Sequence, residues 1–219
     1  MRWTNKNLGS VSPGEFIPIA EDKGYIVAIG RWIREESIKT TRKWLDMGIT
    51  FNKFSINIST VEISQKDFKE HLVYLCQRYA IKPEMVELEI TERTIMATED
   101  DEDNIFTEIQ KAGFKIALDD FGTGYSNLRS LTSFNIDTLK LDKSLIDNIK
   151  DIKQRHIIKG ILGARNYLYS EIVAEGVEDK ETLKILSKLG FDTVQGYYFS
   201  KPLSKKQMEQ FFLGFNKEE

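Results

Sequence analysis

The sequence predicts an α/β fold of the TIM-barrel kind, and three observations predict it. Short apolar runs alternate with amphipathic segments along the whole chain. The connections between those runs are long enough to hold a helix, which implies parallel strands joined by right-handed crossovers. Each run also ends in an oxygen-bearing or charged side chain, and in a parallel barrel the strand ends converge on one face.

The elements follow in order. Ser12-Pro13-Gly14-Glu15 combines an N-cap serine, a proline at the first helical position and a glutamate three residues after the cap, so a helix starts there. A longer helix carries Ile29, Trp32, Ile33, Trp44 and Leu45 and stops at Gly48. Phe54 to Ile58 is a strand, and Gln65 to Tyr79 is a helix with Phe68, Leu72, Leu75 and Tyr79 on one face. A strand at Val86 to Ile90 and a helix at Asn104 to Ala112 come next. Phe114 to Leu118 forms a strand that runs into a glycine-rich loop, Phe121 to Ser126. The remaining units are a strand at Ile136–Leu141, a long helix over about Ser144–Tyr169, a strand at Ile172–Ala174, a helix at Lys180–Leu189, a strand at Thr193–Phe199 and a helix over about Ser204–Phe212. That makes six strands where a closed barrel has eight.

Composition narrows the function. The 219 residues carry 31 Lys plus Arg against 34 Asp plus Glu, a net charge of −3, which argues against a nucleic-acid polymer as partner. The single cysteine, Cys76, excludes an internal disulfide and a thiolate zinc cluster. Only two histidines, His71 and His156, are present, so a metal would be held mainly by oxygen. No apolar stretch approaches the ~20 residues of a membrane span. Met1 to Ser10 is polar, without a secretory h-region, and the chain is expected in the cytoplasm with no membrane insertion.

Read toward their C-terminal ends, the strands present Asn57, Glu89, Asp119 with Asp120, Lys140 with Asp142, Glu175 and Gln195. Two adjacent carboxylates after the buried run Ile116-Ala117-Leu118 are costly unless a cation compensates them. With Glu89 and Asn57 added, a hard divalent cation, Mg²⁺ or Mn²⁺, fits the donor set. Several carboxylates could hold two such ions, an arrangement suited to phosphodiester hydrolysis. Lys140 would then stand near the phosphate or the attacking water, with Glu175 as candidate base. Each residue also has a plainer reading. Asn57 alone suits a strand-end hydrogen bond, and Glu87 and Glu89 share a strand face that could be solvent-exposed. Asp119 to Gly122 could be a simple turn, and Lys140 a surface residue or an imine-forming lysine. Cys76 and the three tryptophans read as packing residues and the two histidines as surface residues. Singly the plain readings prevail; at the ends of six consecutive strands they do not.

The motifs resemble one family, the EAL-domain phosphodiesterases that hydrolyse cyclic di-GMP. The matching segments, in family order, are Phe16-Ile17-Pro18-Ile19-Ala20-Glu21, Ile56-Asn57-Ile58-Ser59, Glu87-Leu88-Glu89-Ile90-Thr91-Glu92 and Asp119-Asp120-Phe121-Gly122-Thr123-Gly124-Tyr125-Ser126. Leu139-Lys140-Leu141-Asp142, Ala174-Glu175-Gly176-Val177-Glu178 and Gln195-Gly196-Tyr197 continue them. The resemblance implies a modified TIM barrel over residues 1–219 as one domain, a two-metal Mg²⁺ or Mn²⁺ site and cleavage of cyclic di-GMP to linear pGpG. It implies Asn57, Glu89, Asp119 and Asp120 as metal ligands and Glu175, Lys140 and Asp120 as catalytic residues. Arg2 and Gln195 would meet substrate, and Glu92 would steady the Asp120–Ser126 loop. It also implies a homodimer and an upstream sensory or GGDEF-type domain in a longer parent.

There are departures. The family's Glu-Ala-Leu motif would stand just before Arg2, and the sequence starts at Met1. The expected barrel therefore lacks its first strand and part of its second, and the expected activity is weakened by loss of that glutamate as a ligand. Asn127 and Leu141 are smaller changes. A catalytically inactive module that binds cyclic di-GMP or a protein partner is the alternative, and an aldolase using Lys140 is a third reading.

Overall fold

The computed structural model describes residues 3–97, 105–123, 135–168 and 171–215. It opens with a hairpin, β1 (Trp3–Asn5) against β2 (Gly9–Val11), which the apolar pattern had not marked. Helix α1 (Pro13–Asp22) starts at the anticipated cap. Ser12 accepts from Gly14 N–H, and the Glu15 side chain accepts from Ser12 N–H.

Helix α2 (Tyr25–Asp46) buries a different stripe from the anticipated one: Ile26, Gly30, Arg34, Ile38 and Thr41. Trp32 is left 60% exposed. The stripe turns on an ion pair that a hydrophobic pattern cannot show. Arg34 pairs with Glu62 of the short helix α3 (Thr60–Ile63), both nearly inaccessible to solvent, and Arg34 also lies over the Phe68 ring. Gly30 makes room, because a Cβ there would sit 1.6 Å from Glu62 Oε1. Helix α4 (Phe68–Arg78) places Phe68, Leu72, Leu75 and Cys76 in the core. Of the histidines, His156 is exposed and His71 half-buried.

Six strands build one parallel sheet in sequence order: β3 (Phe54–Asn57), β4 (Val86–Thr91), β5 (Lys115–Phe121), β6 (Thr138–Leu141), β7 (Glu171–Ala174) and β8 (Thr193–Val194). The number and direction are those the sequence predicts. Helices α5 (Glu92–Ala97), α6 (Ile105–Lys111), α7 (Lys143–Asp147), α8 (Ile152–Leu168), α9 (Lys180–Leu189) and α10 (Lys205–Phe215), with a 3-10 turn at Pro83–Met85 before β4, complete the described elements. The single helix expected over 144–169 is two. Asp142 accepts from Ser144 N–H and Asp151 from Lys153 N–H, so each opens a separate helix by bonding its own backbone. Strand β8 ends at Val194, and Gly196 then packs so closely on Val177 that a Cβ there would lie 2.1 Å from the Val177 carbonyl oxygen. The chain turns there, and Tyr198 N–H donates to that oxygen at 2.9 Å.

The outer sheet face, with Ile56, Leu88, Ile90, Leu118, Leu139 and Ile172, packs on the helices and forms the core. The inner face carries polar layers beside Ala117 and Val173. Lys53, just ahead of β3, donates to Glu87 of β4 at 2.6 Å, Thr138 of β6 at 2.8 Å and Glu171 of β7 at 2.8 Å. In a flat sheet β4 and β7 would lie three spacings apart, about 14 Å. One ammonium reaches both because the sheet curls into a half-barrel. Glu87 is 2% exposed, so the solvent-facing reading of that strand face does not hold. Its carboxylate is satisfied by Lys53, Ser55 and Thr138.

Candidate metal and phosphodiester site

A second polar layer lies one pleat further along, at the C-terminal mouth of the half-barrel. Glu89 follows Glu87 by two residues, as Lys140 follows Thr138, so both point the same way as the first layer. Lys140 Nζ lies 2.8 Å from Glu89 Oε1, 2.8 Å from Asp119 Oδ1 and 2.8 Å from Glu175 Oε1. Asn57, paired in register with Glu89, donates its amide to Glu89 Oε2 at 2.8 Å.

Asp119 and Asp120 both reach the mouth because β5 carries a bulge. Leu118 pairs with Leu139 and Phe121 with Leu141, so the two aspartates stand opposite Lys140 alone. Asp120 takes a left-handed φ of 55°, which re-aims its side chain to the exposed rim. One carboxylate oxygen each from Asp119, Asp120 and Glu175 falls within 4.8 Å of the others.

The charge is unbalanced. Three carboxylates meet one ammonium, which leaves two formal negative charges, or three with Asp120. Burial pushes the Glu89 carboxyl above its ordinary value, and Lys140 only partly offsets this. Burial does the same to Glu175, and burial together with the Asp119 charge does it to Asp120. Burial alone would lower the Lys140 ammonium, but the carboxylates of Glu89, Asp119 and Glu175 hold it well above its ordinary value. An oxygen-rich mouth with surplus negative charge and no nitrogen or sulfur ligand in the cluster suits a hard divalent cation.

The other predicted residues are placed as follows. Gln195 directly follows β8, exposed, on a cavity of about 540 Å³ that Glu89 and Lys140 also line. Its backbone is bonded on both sides, to Ala174 O and from Val177 N–H. Glu92 opens α5 directly after β4. Arg2 and residues 124–126 of the loop assigned to Glu92 lie outside the described residues. The layer of Lys53, Glu87, Thr138 and Glu171 was not anticipated. Its signal was the period-two repeat Glu87/Glu89 and Thr138/Lys140, read in the sequence on one strand at a time.

Residues 1–202 match the family described as "EAL domain", and the chain belongs to that family. It is 37% identical over 202 residues to "Signaling protein YkoW" of Bacillus subtilis, covering 92% of this chain and 25% of that protein. It is 32% identical over 209 residues to "Bifunctional diguanylate cyclase/cyclic di-GMP phosphodiesterase MucR" of Pseudomonas aeruginosa, covering 95% and 30%. Among solved structures, "PaMucR Phosphodiesterase, c-di-GMP complex" superposes with a TM-score of 0.86 at 32% identity, over 94% of this chain and 84% of that one. The chain thus spans about a quarter to a third of the length of these curated relatives.

Proposed function

We propose that this chain hydrolyses one phosphodiester bond of cyclic di-GMP, giving linear pGpG, with two Mg²⁺ or Mn²⁺ ions held at the C-terminal mouth. The observation that carries the proposal is the meeting of Glu89, Asp119 and Glu175 on Lys140, with Asn57 on Glu89 and Asp120 within reach. The family and the phosphodiesterases among its relatives support it.

Asn57 through its amide oxygen, Glu89, Asp119 and Asp120 would hold the ions. Bound cations supply charge neutralisation at the phosphate and a more acidic water. The protein's own groups do the rest. Glu175, whose carboxyl burial raises, accepts the proton of the attacking water. The water oxygen forms a bond to phosphorus as the bond to the ribose oxygen breaks, and the ribose oxygen leaves with the electron pair and takes up a proton from solvent. Lys140, kept charged by its neighbours, presents a fixed positive charge to the attacking water or the phosphate oxygens. Gln195 and Arg2 orient the substrate, and Glu92 steadies the loop after Asp120.

The test is incubation of the purified chain with cyclic di-GMP and Mn²⁺, followed by chromatography. The proposal expects pGpG, its loss on chelation and its loss in Glu175→Gln. Binding of intact cyclic di-GMP with no product after long incubation would overturn hydrolysis in favour of a binding module.

A further inference from the structure

Helix α7 is five residues long and starts soon after β6, between the end of β5, which carries Asp120, and the loop after β7, which carries Glu175. Its start is pinned on both sides. Asp142 N–H donates to Phe121 O at 3.1 Å, and Glu175 N–H donates to Leu141 O at 3.0 Å. From that point its side chains reach in both directions. Leu145 covers Gly122, where a Cβ would lie 2.3 Å from Leu145 Cδ1. The stem of Lys143 covers Gly176, where a Cβ would lie 2.4 Å from Lys143 Cγ. The Lys143 ammonium then pairs with Glu178, further along the same loop. Gly122 follows Asp120 by two residues, and Gly176 follows Glu175 by one. Both glycines have positive φ, 105° and 70°, so each loop combines a backbone shape natural to glycine with a side chain pressed onto it.

This contact answers a question left by the bulge. Asp120 holds a left-handed φ, which aspartate tolerates better than most residues with a Cβ but which still costs energy, so surrounding contacts help to hold it. The bond from Asp142, the Thr123 hydroxyl donating to Asp120 O at 3.1 Å and the weight of Leu145 on Gly122 supply that constraint. The geometry points to α7 as a positioning clamp. Leu145 acting through Gly122, and Lys143 acting through Gly176 and Glu178, fix the spacing of the Asp120 and Glu175 carboxylates and with it the divalent-cation affinity of the mouth. The inference rests on the reading of the mouth as a divalent-cation site.

Titration of the purified chain with Mn²⁺, following the spectroscopic signal of free Mn²⁺, tests it without reference to turnover. Leu145→Ala is expected to weaken Mn²⁺ binding about 10- to 100-fold, the range for groups that orient ligands from outside the coordination sphere. Leu145→Met restores most of that loss. Lys143→Ala weakens binding in the same direction without touching the core, so the test survives a Leu145→Ala protein that fails to fold. Ile146→Val, on the core face of the same helix, lowers the melting temperature and leaves Mn²⁺ affinity unchanged. Unchanged affinity in both Leu145→Ala and Lys143→Ala, or an equal loss in Ile146→Val, overturns the clamp. A parent chain that binds no Mn²⁺ overturns both the clamp and the metal site. A parent that binds Mn²⁺ but leaves cyclic di-GMP intact overturns the proposed hydrolysis and leaves the clamp standing.

Discussion

Replacing Lys140 by methionine would remove the cation that now holds the mouth together. The ammonium is almost inaccessible and touches three carboxylates at 2.8 Å each. Breaking a buried ion pair from one side costs about 3–5 kcal/mol, because the remaining charge is left uncompensated. Glu89 and Glu175 already protonate more readily than ordinary glutamates, so proton uptake relieves part of the repulsion. The lower end, about 3 kcal/mol, is therefore expected. For a chain of this size that is a fall of about 6–12 °C in melting temperature. The assay is thermal unfolding of parent and Lys140→Met, in chelator and in Mn²⁺. A bound ion stabilises by about 2.7 kcal/mol at a hundred times its dissociation constant. An ion entering Lys140→Met meets no ammonium that repels it or shares its carboxylates, so at a given Mn²⁺ concentration the variant should regain more than the parent gains. Equal melting of the two proteins in chelator, or a smaller Mn²⁺ gain in the variant, would refute the reasoning.

Further outcomes are expected elsewhere. Glu175→Gln should lower kcat for cyclic di-GMP at least about 100-fold, as removal of a general base does, while calorimetry still registers ligand binding. Burial pushes the Glu171 carboxyl up, but its bonds from Lys53 and Thr193 outweigh that and leave it below its ordinary value. A depressed carboxyl contributes stability above its unfolded value and loses it as pH falls through the folded one. Unfolding followed as pH falls through and below the ordinary carboxylate range should therefore show a larger loss in the parent than in Lys53→Met. Gly30→Ala drives a methyl into Glu62, which Arg34 holds from the other side, and should destabilise by about 3–5 kcal/mol in urea unfolding. An unchanged midpoint would contradict the buried pair.

Much of this architecture was legible because parallel strands impose a simple rule: their ends share one face. Asn57, Glu89, Asp119, Lys140 and Glu175 sit on five different strands or at their ends, yet the rule placed them at one mouth, and the structure brings them together. What stayed hidden depends on contacts between distant segments. The Lys53–Glu87–Glu171 layer exists only once the sheet curls, and one strand alone makes Glu87 look solvent-facing. The Arg34–Glu62 pair buries charge on a helix face that a search for apolar periodicity passes over. The bulge at Asp119–Asp120 is a register event between β5 and β6, invisible within β5 itself. The split of the long helix into α7 and α8 was readable in principle from Asp142 and Asp151, since aspartate opens helices more readily than it continues them.

The most direct measurement is anomalous diffraction at the manganese edge from crystals of this chain grown with Mn²⁺. The account predicts two manganese peaks at the C-terminal mouth, within coordination distance of Asn57, Glu89, Asp119 and Asp120. Peaks seated elsewhere on the molecule, or a mouth that holds none at saturating Mn²⁺ while Lys140 keeps its three carboxylates, would contradict it.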